Sequence, residues 1–130
     1  MKQNRYFFVA LLLLAIIFVA SCNTNKPQEP LSYGDAKEIV LQLYDTDSMD
    51  IYMAPAVLPA NSIVYTMYDS LISPKLNCWY IFVDKAPLAN WLHPCDYVFV
   101  TEDKGIVVIE PNTCPPKEMD LLELISRHVQ

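Results

Sequence analysis

The chain has 130 residues, with 9 basic and 15 acidic side chains and a net charge of −6. That acidity argues against a nucleic-acid partner and against electrostatic docking on anionic lipid. Its two glycines, Gly34 and Gly105, are too few for a phosphate-cradling loop, which excludes nucleotide chemistry; no cofactor motif is visible.

The first five residues carry Lys2 and Arg5 and no acid, and residues 6–20 form an unbroken apolar run. A charged start, a short apolar stretch and small residues before a cut describe a secretory signal over residues 1–21. Fifteen residues of helix span only about 22 Å, against roughly 30 Å of hydrocarbon, which is short for a permanent span. Val19-Ala20-Ser21-Cys22 resembles the lipobox of bacterial lipoproteins, and the whole segment is similar to the leaders of Bacteroides-like secreted lipoproteins. The resemblance implies that Cys22 is acylated, becomes the mature N-terminus and holds the chain on a lipid bilayer. Residue 23 is Asn and not Asp, which under the family's sorting rule implies the outer membrane. Removal of Lys2 and Arg5 leaves 7 basic against 15 acidic residues, a net −8.

Residues 22–31 are polar and proline-bearing and read as a flexible tether. Residues 32–130 are long enough for one domain and not two. Within it, residues 32–44 predict a helix, because Ala36, Ile39, Val40, Leu43 and Tyr44 recur with the helical period, with Ser32 and Asp35 at capping-box spacing. Pro55 and Pro59 break the pattern over residues 45–61, where Ile51-Tyr52-Met53 reads as a short edge strand. Residues 63–68, 78–83, 96–101 and 106–110 are β-branched and aromatic runs, hence strands, the last two joined by a turn over 102–105. Leu121, Leu122, Ile125 and Val129 form the apolar stripe of a final helix over about 117–128. The expected fold class is therefore α+β: an N-terminal helix packed on an antiparallel β-meander of three to five strands, with a short C-terminal helix. Tyr80 and Phe82 alternate with Trp79, Ile81 and Val83, so both faces of the sheet should be covered.

With Cys22 committed to lipid, Cys78, Cys95 and Cys114 remain, in a compartment that permits disulfides. If Val100 opposes Ile106, then Asp96 opposes Glu110, and Cys95 and Cys114 lie at the same end of the sheet, with Cys78 some 20 Å away. A bridge needs Cα atoms within roughly 7 Å, which favours Cys95–Cys114 with Cys78 as a buried free thiol. Three reduced thiols are the alternative.

Five further features bear on chemistry or binding. Residues 45–50, with Asp45, Asp47 and Asp50, suggest a calcium loop, but neither the glycine at position 6 nor an acid at position 12 is present, so a solvated turn is preferred. His93-Pro94-Cys95 suggests a Cys–His nucleophile, without any protease signature around it. Cys78, His93, Cys95 and Cys114 lack the paired close spacing of a zinc site, so no metal is expected. His128 reads as a surface residue or a helix-dipole partner. Residues 85–94 form a long loop between two strands and carry Leu88, Trp91, Leu92 and His93. Long hairpin loops tend to be functional, and Trp is a common interface anchor. Either Trp91 folds back over the sheet, or these four residues make a partner-contact loop.

The helix with Asp35-Ala36-Lys37-Glu38-Ile39-Val40, the strand Trp79-Tyr80-Ile81-Phe82-Val83 and the strand Tyr97-Val98-Phe99-Val100 together resemble the prodomains of streptopain-type cysteine proteases, and more broadly PepSY and cystatin-like modules. Those prodomains carry a Gly-Gly-Phe-Val-Ile-Val stretch where this chain reads Cys95-Asp96-Tyr97-Val98-Phe99-Val100, without the glycines. The resemblance implies a non-enzymatic inhibitor that blocks the cleft of a secreted papain-like cysteine protease. The other expectation is a non-enzymatic envelope lipoprotein that binds or scaffolds another surface protein or ligand.

Overall fold

A computed structural model describes residues 27–129. The expected signal peptide, Cys22 and the first half of the expected tether lie outside the described residues. Helix α1 spans Tyr33–Leu43, capped by Ser32. Asp35 N donates to Ser32 Oγ at 3.2 Å and Ser32 N to Asp35 Oδ2 at 3.3 Å, so two of the helix's orphan donors are satisfied reciprocally. Seven strands follow: β1 Asp50–Met53, β2 Ile63–Tyr65, β3 Ser70–Ile72, β4 Cys78–Asp84, β5 Cys95–Thr101, β6 Val107–Asn112 and β7 Glu123–Ser126.

These strands correct the expected fold class. The chain is mostly β, with one helix among the described residues, and its main sheet is not a meander. Five antiparallel strands run in the order β6-β5-β4-β1-β7, and β2 and β3 form a separate two-stranded sheet. Strand β1 is internal, not an edge: Ile51 pairs with Val83 on one side and with Ser126 on the other. The expected C-terminal helix is absent; Met119–Leu121 makes one 3-10 turn and the chain then extends as β7. A twelve-residue helix is marginal by itself, whereas β1 without β7 would leave a row of backbone N–H and C=O groups unpaired.

The single strand expected over 63–68 is also divided. Thr66 Oγ1 accepts from Asp69 N at 2.9 Å and from Tyr68 N at 3.3 Å, folding residues 66–69 into the turn between β2 and β3. Across the β5–β6 hairpin, Val100 pairs with Val107 and Asp96 with Pro111, one residue out from the expected register. The connection needs Ile106 as well, because Thr101 N donates to Ile106 O and Gly105 turns at φ +61°. Pro111 is tolerated because β6 is an edge strand and loses no ladder bond on its open side.

Strands β4 and β5 are buried on both faces. On one face Trp79, Ile81, Val83, Val98 and Val100 form a cluster with Ala36 and Val40 of α1 and Ile51 and Met53 of β1. Trp79 Nε1 donates to Leu31 O at 2.8 Å, and Leu31 N donates to Glu102 O at 2.7 Å, which pins the residue before the helix cap to the sheet. On the other face Tyr80, Phe82, Tyr97 and Phe99 stack with Cys78, Cys95 and Val64, under Leu71 of β3 and Met119 and Leu122 of the 3-10 turn. Each fully buried aliphatic or aromatic side chain contributes roughly 1.5–3 kcal/mol, and these two layers hold most of them.

Candidate interaction surface

Loop 85–94 leaves the sheet where Asp84 pairs with Cys95. Lys85 N donates to Pro94 O at 3.2 Å, which closes the base of the loop, and Ala89 N donates to Ala86 O at 2.9 Å, which turns its tip. His93 is its inner clamp. Its Nε2 lies 2.8 Å from Asp84 Oδ1 and its Nδ1 lies 2.6 Å from Trp91 O. Both partners are acceptors, so a proton on either ring nitrogen has an acceptor facing it. The same Asp84 oxygen accepts from Ala86 N at 3.0 Å, and His93 N donates to Thr113 O at 3.2 Å. The loop is therefore fixed from within at both of its shoulders.

The apolar side chains of this loop point the other way. Trp91 is 79% exposed, Leu88 75% and Leu92 50%. Trp91 does not fold back over the sheet, whose faces are already filled by α1 on one side and the β2–β3 hairpin on the other. Of the four expected contact residues, Leu88, Trp91 and Leu92 face outward, while His93 is the positioning residue beneath them. Two residues complete the surface that sequence reasoning missed. Met67 and Tyr68, in the β2–β3 turn, line one depression of about 430 Å³ together with Trp91, Leu92, His93 and Pro115. Tyr68 is 74% exposed. Only one sign in the sequence pointed to them: Met and Tyr occupy a tight turn where small polar residues are usual. These side chains bring exposed apolar and aromatic surface from the loop and from the β2–β3 turn to one place.

The other candidate residues lie elsewhere. The expected Cys95–Cys114 bridge is not formed: both are free thiols, and Cys95 Sγ donates to the carbonyl of Cys114 at 3.4 Å. The two residues are neighbours, and the Cys114 carbonyl accepts from both Cys95 Sγ and Tyr97 OH. Cys78 pairs with Thr101 at the opposite end of β4. Burial pushes the Cys95 thiol up to about 11, with Asp84 and Asp96 adding to the rise. His93 spends both ring nitrogens on Asp84 and Trp91, so His93 and Cys95 do not form a nucleophile–base pair.

Among the described residues no group of three His, Cys, Asp or Glu side chains could hold a metal ion. Asp45, the first residue of the calcium-like run, accepts from Asp47 N at 3.2 Å and Ser48 Oγ at 2.9 Å, a local turn after the helix. His128 follows β7 and not a helix; its backbone N and Nδ1 lie 2.7 and 2.8 Å from Asp50 Oδ1 and tie down the C-terminal segment.

At the loop's base, Asp96 is 3% exposed, with Lys85 Nζ 2.7 Å and Tyr44 OH 2.9 Å from its Oδ2. This node joins the end of α1, the loop and β5. Among the described residues no helix is long and apolar enough to cross a membrane. Comparison with protein-family models, with curated proteins and with solved structures finds no match to this chain.

Proposed function

We propose that this chain is a lipid-anchored, non-enzymatic protein of the bacterial outer membrane that binds another envelope protein through Leu88, Trp91 and Leu92, flanked by Met67 and Tyr68. The observation that carries the proposal is the opposition within loop 85–94: its polar groups are consumed inward, by His93 and Asp84, while its large apolar groups are spent on solvent. Exposed Trp and Tyr on a preorganised scaffold give a partner large contact area at little ordering cost. The anchor rests on Val19-Ala20-Ser21-Cys22, and the acidic balance of the chain favours a protein over nucleic acid.

Two measurements test this. Replacing Cys22 by Ser should abolish acyl incorporation and release the chain from the membrane fraction; continued acylation would reject the anchor. A photo-crosslinking residue at position 91 or 68 should capture the same envelope protein, and one at Glu38, on the exposed face of α1, should not. Equal capture from all three positions would reject the surface.

A second reading has its own support. Loop 85–94 is narrow, projects from the end of the sheet and is rigidified by the His93 clamp, a form that suits insertion into a protease cleft. On that reading the partner is a secreted papain-like cysteine protease. Stoichiometric inhibition that disappears in Trp91→Ala would support it, and full protease activity at excess protein would reject it.

A further inference from the structure

A second concavity lies on the other side of the Thr66–Pro116 bridge from the Trp91 depression and shares no lining residue with it. It is a cleft of about 390 Å³ between β2, the segment after β1 and the 3-10 turn, with walls of Ala54, Val57, Leu58, Val64 and Leu122. Ile63, Tyr65 and Leu121 also line it, and each is more than half exposed. Tyr80 lines the cleft from the sheet. It is only 6% exposed, and its hydroxyl has no hydrogen-bond partner among the described residues. A buried hydroxyl without a partner is costly and rare. Burial, reinforced by Tyr97 and Cys95, raises the pKa of this phenol, so it stays protonated and able to donate. Among the described residues, Glu118 is the one charged residue of the lining, which contains no Lys or Arg.

We propose that this cleft binds an uncharged, largely apolar small molecule of acyl-chain type, bearing one hydrogen-bond acceptor that Tyr80 satisfies. The volume and the apolar walls match a small-ligand site, in which a few polar groups set orientation. Charge decides between neutral and anionic occupants. A carboxylate head would meet Glu118 with no cation among the described lining residues, in a chain that already carries a net −6. A neutral ester or amide carbonyl meets no such repulsion and accepts from Tyr80. The site is separate from the Trp91 surface, so it stands or falls independently of the proposed protein partner.

The test uses the full chain in lipid nanodiscs with a pair of photoactivatable twelve-carbon probes, one a methyl ester and the other the free carboxylate. Adducts are mapped by mass spectrometry. The ester should label residues 54–58, 63–65 and 121–122 at least tenfold more than the carboxylate does. Tyr80→Phe, which removes only the hydroxyl, should lower ester labelling about fivefold, the equivalent of one net hydrogen bond, and leave labelling by a pure hydrocarbon probe unchanged. Glu118→Lys, at an exposed position that folding does not depend on, should raise carboxylate labelling several-fold. Equal labelling by ester and carboxylate in the parent would overturn the proposal, as would indifference to both substitutions. Labels replaced by cross-links between two copies through Ile63 would overturn it in favour of a self-association face.

Discussion

Cys78 and Cys95 are both buried, and burial pushes each thiol up to about 11 from an ordinary 9.0. Two outcomes follow at this scale. A thiol reagent at neutral pH should modify Cys114, which is partly exposed, and reach Cys78 and Cys95 only on unfolding; equal reaction of all three in the folded protein would contradict the burial. The second outcome concerns alkali. Below pH 9 the thiols are protonated in both states and their contribution to stability is fully present. Between about 9 and 11 the unfolded chain ionises while the folded one keeps its protons, so stability falls as pH rises through that window. Thermal unfolding should show the midpoint dropping there, with a shallower drop in Cys78→Ala/Cys95→Ala. The residual slope belongs to the tyrosines whose pKa values burial raises as well, Tyr44, Tyr80 and Tyr97 together with Tyr33 and Tyr52. The neighbourhood of Cys95 and Cys114 was legible from hairpin counting, but the turn after β6 was not: Asn112 Oδ1 accepts from Thr113 N and Cys114 N, and Cys95 Sγ meets the Cys114 carbonyl.

Loop 85–94 behaves as an element in its own right, because one side chain organises it. His93→Ala removes the links to Asp84 and to Trp91 O while leaving the sheet intact. Amide exchange across residues 86–92 should accelerate, and partner binding should weaken several-fold through lost preorganisation. Unchanged exchange would mean that the loop is held by its ends alone. Trp91→Ala separates the two roles. At 79% exposure the substitution should move folding stability by no more than about 0.5 kcal/mol, yet cost binding at least about 2 kcal/mol if Trp91 is the anchor. A large stability loss would return Trp91 to the core. The helix α1 and strands β4 and β5 were readable because local period, cap and burial agree over many residues. Residues 117–128 were not, since Leu121, Leu122, Ile125 and Val129 fit a helical stripe while the open side of β1 requires a strand. That requirement comes from 70 residues away, where no local pattern can express it. Met67 and Tyr68 were missed for the same reason, since only the folded hairpin brings them beside Trp91.

At the scale of the whole molecule, the described residues cover the central strands of the sheet with one helix, a hairpin and a 3-10 turn. These covers are tied down by joints between elements that are distant in sequence. The most connected is Asp96, where Lys85 from the loop and Tyr44 from the end of α1 converge on one buried carboxylate of β5. Its other oxygen, Oδ1, has no partner among the described residues, so the site is already short of donors. Lys85 itself is about one-third exposed, with a side-chain exposure of 32%, so its charge is partly hydrated and the pair is not an isolated one in low dielectric. Lys85→Met should therefore cost roughly 2–3 kcal/mol, somewhat less than breaking a fully buried pair, because the damage lies in the unpaired Asp96 and not in the loss of attraction alone. Urea unfolding of Lys85→Met/Asp96→Asn distinguishes these two sources. Removing the charge on both sides should recover part of the loss, leaving the double variant more stable than Lys85→Met alone. If the two substitutions simply add, the ion pair is incidental, and the end of α1, the loop and β5 are joined by packing.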